Sequence, residues 1–65
     1  MRRIYSACLV WDRNGDLHDI DIYTGSYDWP TRLRAVRREC LRNGIDVREA
    51  YVGGNIWTRQ DIMAA

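Results

Sequence analysis

The sequence predicts a small α+β domain of ββαβ order, in which a three-stranded antiparallel sheet of spatial order 2-1-3 carries one helix packed on one face. Three observations predict it. Two strand-like runs flank Asn14-Gly15, a helical stripe of apolar residues begins at Trp29, and a third strand-like run ends at Gly53-Gly54. The expected elements of this single domain, residues 1–65, are a hairpin over 3–24, a helix over 29–43, a strand over 45–52 and a C-terminal turn or helix over 56–64.

The turn of the first hairpin sets the register of its strands. Asn and Gly tolerate positive φ, as a two-residue type I′ turn requires, so Asn14 and Gly15 are expected to form the whole loop. Leu9 then faces Ile20 on the side that a helix covers. A three-residue loop would set Leu9 against Asp19 and bury carboxylates on that side, so the two-residue loop is preferred.

Strand one is expected at the centre of the sheet and strand two at its edge. Strand one is apolar on both faces, with Leu9 on one and Val10 on the other. Strand two carries Asp19 and Asp21 at outward positions, and such charges discourage edge-to-edge pairing. These patterns predict the order 2-1-3.

Helix-terminal signals bound the helix. Asp28 and Pro30 are typical of a helix start, with Trp29 itself a candidate cap, and Gly44 is typical of the position after a helix end. Glu39 is positioned to pair with Arg42. The apolar stripe of this helix consists of Trp29, Leu33, Val36 and Cys40.

The C-terminal segment carries a second helix signal. Thr58 and Asp61 have the spacing of a capping box, and Trp57 and Ile62 stand at the flanking staple positions. The apolar residues on both faces of strand one also predict a second layer, either this segment folding back or a homodimer. The residues expected at that join are Ile4, Val10, Leu17, Tyr23 and Trp57.

Composition excludes several classes of protein. No apolar run approaches the length that spans a bilayer, and Met1-Arg2-Arg3 leads into an amphipathic strand instead of a signal core, so we expect a cytoplasmic protein without membrane contact. The net charge of +1 argues against a general polyanion binder. Cys8 and Cys40 are expected on opposite sides of the sheet, which predicts no disulfide.

One histidine among aspartates is the feature closest to a catalytic or metal site. Strand alternation places Asp19 and Asp21 on one face and His18 on the other, so the three side chains do not converge. Leu17 occupies the sixth position of a calcium-loop-like spacing that begins at Asp12, where that loop requires Gly. We therefore expect no catalytic residues, no metal, no cofactor and no enzyme activity.

Two charged surfaces remain as candidate partner-binding sites. Three arginines predict a basic row along the helix, suited to phosphate or to an acidic protein groove. This Arg row consists of Arg34, Arg38 and Arg42. Four aspartates predict an acidic edge along the hairpin, suited to imitating phosphates toward a basic partner. This acidic edge consists of Asp12, Asp16, Asp19 and Asp21.

In size and general organisation the chain resembles very small phage-encoded inhibitors of bacterial defence, including the anti-CRISPR proteins. The resemblance rests on the whole 65-residue frame from Met1, the ββαβ order, the lack of a catalytic motif and the separated Asp and Arg patches. It implies binding to a host nucleic-acid-processing complex, such as a Cas effector, and no residue role is carried over. We expect a non-enzymatic interaction protein with a host protein or ribonucleoprotein partner; the alternative is an RNA- or DNA-binding module that uses the Arg row.

Overall fold

The computed structural model describes residues 3–65, and Met1 and Arg2 of the expected domain lie outside the described residues. A four-stranded antiparallel sheet of order β2-β1-β3-β4 carries two helices. The α+β class and the order of the first three strands are confirmed, but the expectation of only three strands is wrong. The elements are β1 Ile4–Asp12, β2 Leu17–Thr24, α1 Trp29–Arg42, β3 Val47–Val52, β4 Asn55–Thr58 and α2 Arg59–Ala64.

The fourth strand follows from the two glycines that were expected only to end strand three. Gly53 and Gly54 have φ of 58° and 81°, and Val52 pairs with Asn55 across them. Positive φ at both central residues is the requirement of a type I′ hairpin turn. The chain therefore reverses at once, and β4 pairs with β3.

The first hairpin has the loop that the sequence argument rejected. Asp12 N donates to Asp16 O over 2.9 Å and Gly15 N donates to Asp12 O over 3.0 Å. Gly15 has φ of 88°, whereas Asn14 is not among the described residues with positive φ. This geometry is a type I turn followed by a left-handed glycine, the usual three-residue hairpin loop.

The longer loop reverses which side of β1 faces the helices. Leu9 pairs with Asp19 and Cys8 pairs with Ile20. Cys8 is buried, and Leu9 lies on the sheet face away from the helices. The expected Leu9–Ile20 pairing is therefore wrong, and the carboxylate of Asp19 is not buried because its face is exposed to solvent.

The core lies between the sheet and the helices. Helix α1 packs over β2, and α2 packs against α1, β3 and β4. Cys8 and Cys40 both lie in this core as free thiols, so their expected separation by the sheet is wrong. Burial raises the pKa of each thiol to about 11. The buried core residues are Cys8, Val10, Ile20, Ile22, Leu33, Ala35, Val36, Cys40, Val47, Ala50, Val52 and Ile62.

Both helix starts are capped by side chains. At α1 the cap is Asp28 and not Trp29: its Oδ2 accepts hydrogen bonds from Thr31 N and Oγ1 at 3.0 and 2.7 Å. Hydrogen bonds from Ser26 and Thr31 lower the pKa of Asp28 to about 2. At α2 the predicted capping box is confirmed, because Thr58 and Asp61 bond reciprocally.

Candidate interaction surface

The sheet face opposite the helices is exposed and carries many large apolar side chains. We call it the open face. Leu17, Ile56 and Tyr5 are 56%, 58% and 55% exposed there. Soluble monomers expose large apolar side chains only in small patches. By register, its residues are Tyr5, Ala7, Leu9 and Trp11 of β1, Leu17, Asp19, Asp21 and Tyr23 of β2, Glu49 and Tyr51 of β3, and Ile56 and Thr58 of β4.

Aromatic and polar contacts hold one end of the open face in a fixed arrangement. The rings of Tyr5 and Tyr23 lie 5.4 Å apart, and the guanidinium of Arg3 lies 5.5 Å from the Tyr23 ring centre. Tyr5 Oη donates a hydrogen bond of 2.8 Å to Asp21 Oδ1. That bond is the main reason why the pKa of Tyr5 is raised. These tyrosines are therefore ordered before any partner binds, which lowers the entropic cost of binding.

The open face carries more negative than positive charge. Asp19, Asp21 and Glu49 project from it; Arg3 lies over its aromatic end, and Arg48 Nη2 lies 3.6 Å from Glu49 Oε1. Interleaved carboxylates repel phosphate and attract a basic surface. The face is thus suited to a partner with apolar and cationic groups.

The structure divides the predicted acidic edge into separate parts. Asp19 and Asp21 belong to the open face, whereas Asp12 stabilises the hairpin loop. The Asp12 carboxylate accepts hydrogen bonds from Asn14 N at 2.8 Å, from Asp16 N at 3.0 Å and from His18 Nε2 at 2.8 Å. As predicted, His18 lies on the opposite face from Asp19 and Asp21; its bond to Asp12 was not foreseen.

Acidification tests the loop role of Asp12. The hydrogen bond from His18, followed by those from the backbone of Asp16 and Asn14, lowers the pKa of Asp12. A carboxyl with a lower pKa in the folded state stabilises the fold above its unfolded pKa of about 4, and this contribution is lost as the pH falls through the folded value. Asp12→Asn is therefore expected to lose less stability than wild type on acidification below pH of about 4.

Urea unfolding followed at a series of pH values measures this difference. Asp16→Asn is the matched control, because the Asp16 side chain takes no part in the hydrogen bonds to Asp12. An acid dependence for Asp12→Asn equal to that of wild type would contradict the role assigned to Asp12.

The Arg row lies exposed on α1, away from the open face. Arg42 Nη1 lies 3.7 Å from Glu39 Oε1, which confirms the predicted pair, and Arg34 Nη2 donates to Thr31 Oγ1 over 3.3 Å. Arg38 is exposed and lines a cleft beside β2. The row is thus available to a partner, but on a different side of the molecule.

The residues expected at an oligomer join do not share one surface. Leu17 and Tyr23 lie on the open face. Val10 is fully buried and Ile4 lies on the same side of β1, facing the helices. Trp57 also faces that side, where its ring lies 4.5 Å from that of Trp29. The one-residue change in register explains the misplacement of Ile4 and Val10.

Sequence reasoning missed much of the open face. It placed Leu9 on the side that the helix covers and assigned no role to Tyr5, Tyr51 or Ile56. The available signal was the glycine pair after Val52, which is suited to a type I′ turn and would bring residues 55–58 beside β3.

Within residues 3–65, no group of three or more His, Cys, Asp or Glu side chains is arranged to hold a metal ion. Neither helix in this part of the chain has the length and apolar character needed to cross a membrane. Comparison of the chain with protein-family models, with curated proteins and with solved structures found no match.

Proposed function

We propose that this chain is a small non-enzymatic interaction protein that binds a partner protein through its open face. The exposed apolar side chains of that face carry the proposal. Tyr5, Leu17, Tyr23, Tyr51 and Ile56 are each at least 42% exposed and come from all four strands of one sheet. Large rigid aromatic side chains are the residues that most often anchor protein interfaces.

The charge of the open face indicates the partner's chemistry. Asp19, Asp21 and Glu49 are interleaved with the aromatic residues, so a matching surface has an apolar centre and arginine or lysine near it. Phosphate-binding surfaces of nucleic-acid-processing proteins supply such arginine and lysine side chains. If this chain occupied such a surface in the cytoplasm, it would exclude nucleic acid from it. The resemblance to anti-CRISPR proteins leads us to expect this effect on a host effector complex.

The alternative function is direct binding of RNA or DNA by the Arg row. The observation that favours it is the exposure of Arg34, Arg38 and Arg42 on one side of α1. The open face is a poorer nucleic-acid site, because its three carboxylates repel phosphate, although its tyrosines are suited to base stacking. The two functions therefore use different sides of the molecule and are separated by surface variants.

Recovery of partners from a lysate of the organism that encodes the chain tests the proposed function. The immobilised chain is compared with Leu17→Lys and Ile56→Lys, which place a cation on the open face. Leu41→Lys is the matched control, because Leu41 is an aliphatic residue 74% exposed on α1. We expect a partner protein that is retained by wild type and by Leu41→Lys and is lost, by about tenfold or more, from both open-face variants.

Nuclease treatment and an Arg34/Arg38/Arg42→Ala variant complete the design. Partner recovery that survives nuclease treatment and is at least partly retained by the arginine variant is the expected result. Recovery that requires nucleic acid and the Arg row, or that is equal for all three lysine variants, would contradict binding through the open face. Far-UV circular dichroism of each variant shows that the fold is intact.

A further inference from the structure

Strand β2 offers a free edge that is long enough to pair with another strand. It spans eight residues and, among residues 3–65, pairs on one side only, with β1, whereas the opposite edge strand β4 has four residues. In an antiparallel pair, hydrogen-bonded and non-hydrogen-bonded residue pairs alternate. Asp12 and Asp16 form a hydrogen-bonded pair, so every second residue of β2 from Leu17 onward turns its backbone N–H and C=O groups away from β1. Those residues are Leu17, Asp19, Asp21 and Tyr23.

A cleft of about 390 Å³ runs along this edge between β2 and α1. Arg38, Arg42 and Glu39 line its helix side, and the Glu39 carboxylate pairs with Arg42 at 3.7 Å, which leaves that side with a net positive charge. Asp19 and Asp21 line its sheet side with their side chains on the open face, and Arg3, over the Tyr23 ring, also lines the cleft, which leaves that side with a net negative charge. Opposite charges therefore flank the two sides of the same row of unpaired backbone groups.

We propose that β2 accepts an extended segment of a partner protein as a fifth strand of the sheet, with acidic side chains toward α1 and basic side chains toward the open face. Side chains of a strand alternate between the two faces, so a segment with alternating acidic and basic residues satisfies both walls at once. This inference rests on the proposed function and names its binding mode: strand addition at β2 with alternating charge.

A second copy of this chain does not satisfy the same edge. Two-fold pairing of β2 with β2 of another copy, centred on residues 19–21, sets aspartates against aspartates and brings together two sets of Arg38 and Arg42. Like charges directly across a strand pair are destabilising. The aspartates thus disfavour self-pairing and leave the edge open to a partner of matching charge.

Nuclear magnetic resonance with a synthetic probe tests the inference on the full chain. The probe is a nine-residue peptide with lysine at odd and glutamate at even positions. Its control has the same composition, with the lysines and glutamates in separate blocks. We expect saturable shifts of β2 and Arg38 amides with the alternating peptide only, and slower exchange of the Asp19 and Asp21 amide protons.

One pair of variants and one double variant locate the contact. Asp19→Pro removes one outward amide donor that β1 does not use, and Asp19→Ala removes the same carboxylate but keeps the donor. We expect Asp19→Pro to bind more weakly than Asp19→Ala. The double variant Arg38→Glu/Arg42→Glu is expected to weaken binding about fivefold or more. This result does not depend on the folding of the proline variant.

The outcomes separate this inference from the proposed function. Equal shifts with both peptides, shifts outside β2 and α1, no saturable shift at millimolar peptide, or concentration-dependent self-association at β2 would each overturn strand addition. Ile56→Lys, on β4, is expected to bind the alternating peptide as wild type does. If the alternating peptide binds but the lysate partner is not lost from the open-face variants, only the open-face function is refuted. If the lysate partner behaves as expected but the peptide does not bind, only strand addition is refuted.

Discussion

Replacing Ile62 with alanine is expected to destabilise the chain by about 2–5 kcal/mol. Ile62 is fully buried and is the one buried residue of α2, so its side chain attaches that helix to the core. A six-residue helix has little stability of its own. A chain of 65 residues has a free energy of unfolding of about 3–10 kcal/mol, so this single change removes a large part of it.

Chemical unfolding of Ile62→Ala beside Met63→Ala measures the effect. Met63 is the next residue of α2 and is 40% exposed, and its backbone carbonyl, which accepts a bond from Arg37, is unchanged by the substitution. The control is expected to lose less than about 1 kcal/mol. Equal losses for the two variants would contradict the packing of α2 by Ile62.

Gly53→Ala is expected to destabilise the chain by about 2–4 kcal/mol. Gly53 has φ of 58°, and a Cβ there would lie 2.7 Å from Trp29 Cη2 and 2.8 Å from Arg32 Nη2. The indole of Trp29 contacts both the ring of Trp57, at 4.5 Å, and the guanidinium of Arg32, at 4.0 Å. Backbone strain and a clash with packed side chains therefore act together.

Gly54→Ala separates these two effects. Gly54 also has positive φ, at 81°, but a Cβ there would have no atom within 4 Å. We expect Gly54→Ala to lose about 1–2 kcal/mol from strain alone, and the remaining difference measures the clash. If thermal or urea unfolding gave the same loss for both variants, the close packing of the glycine turn on Trp29 would be wrong.

Local signals predicted the helices well. The stripe from Trp29 to Cys40 and the capping box of Thr58 and Asp61 depend on residues close in sequence, and the structure contains both features. The short strand β4 was missed because four residues are too few for a reliable alternation. Trp57, predicted as a helix staple, precedes the cap Thr58 and packs against the core beside Trp29.

The orientation of β1 required information that the hairpin sequence does not contain. Asn14-Gly15 is compatible with both a two-residue loop and a three-residue loop that ends in a left-handed glycine. The outward side of β2 was predicted correctly, with Asp19 and Asp21 away from the core, but β1 was reversed. A one-residue change in pairing turns every β1 side chain over, and packing of the distant helix α1 decides between the two registers.

The open face exists only in the register with the three-residue loop, so measuring that register tests the account most directly. In antiparallel strands, the Hα protons of facing residues approach closely at non-hydrogen-bonded pairs. The structure predicts strong Hα–Hα nuclear Overhauser effects between Leu9 and Asp19 and between Ala7 and Asp21. Effects from Asp19 to Val10 and from Asp21 to Cys8 would establish the two-residue loop and contradict the open face.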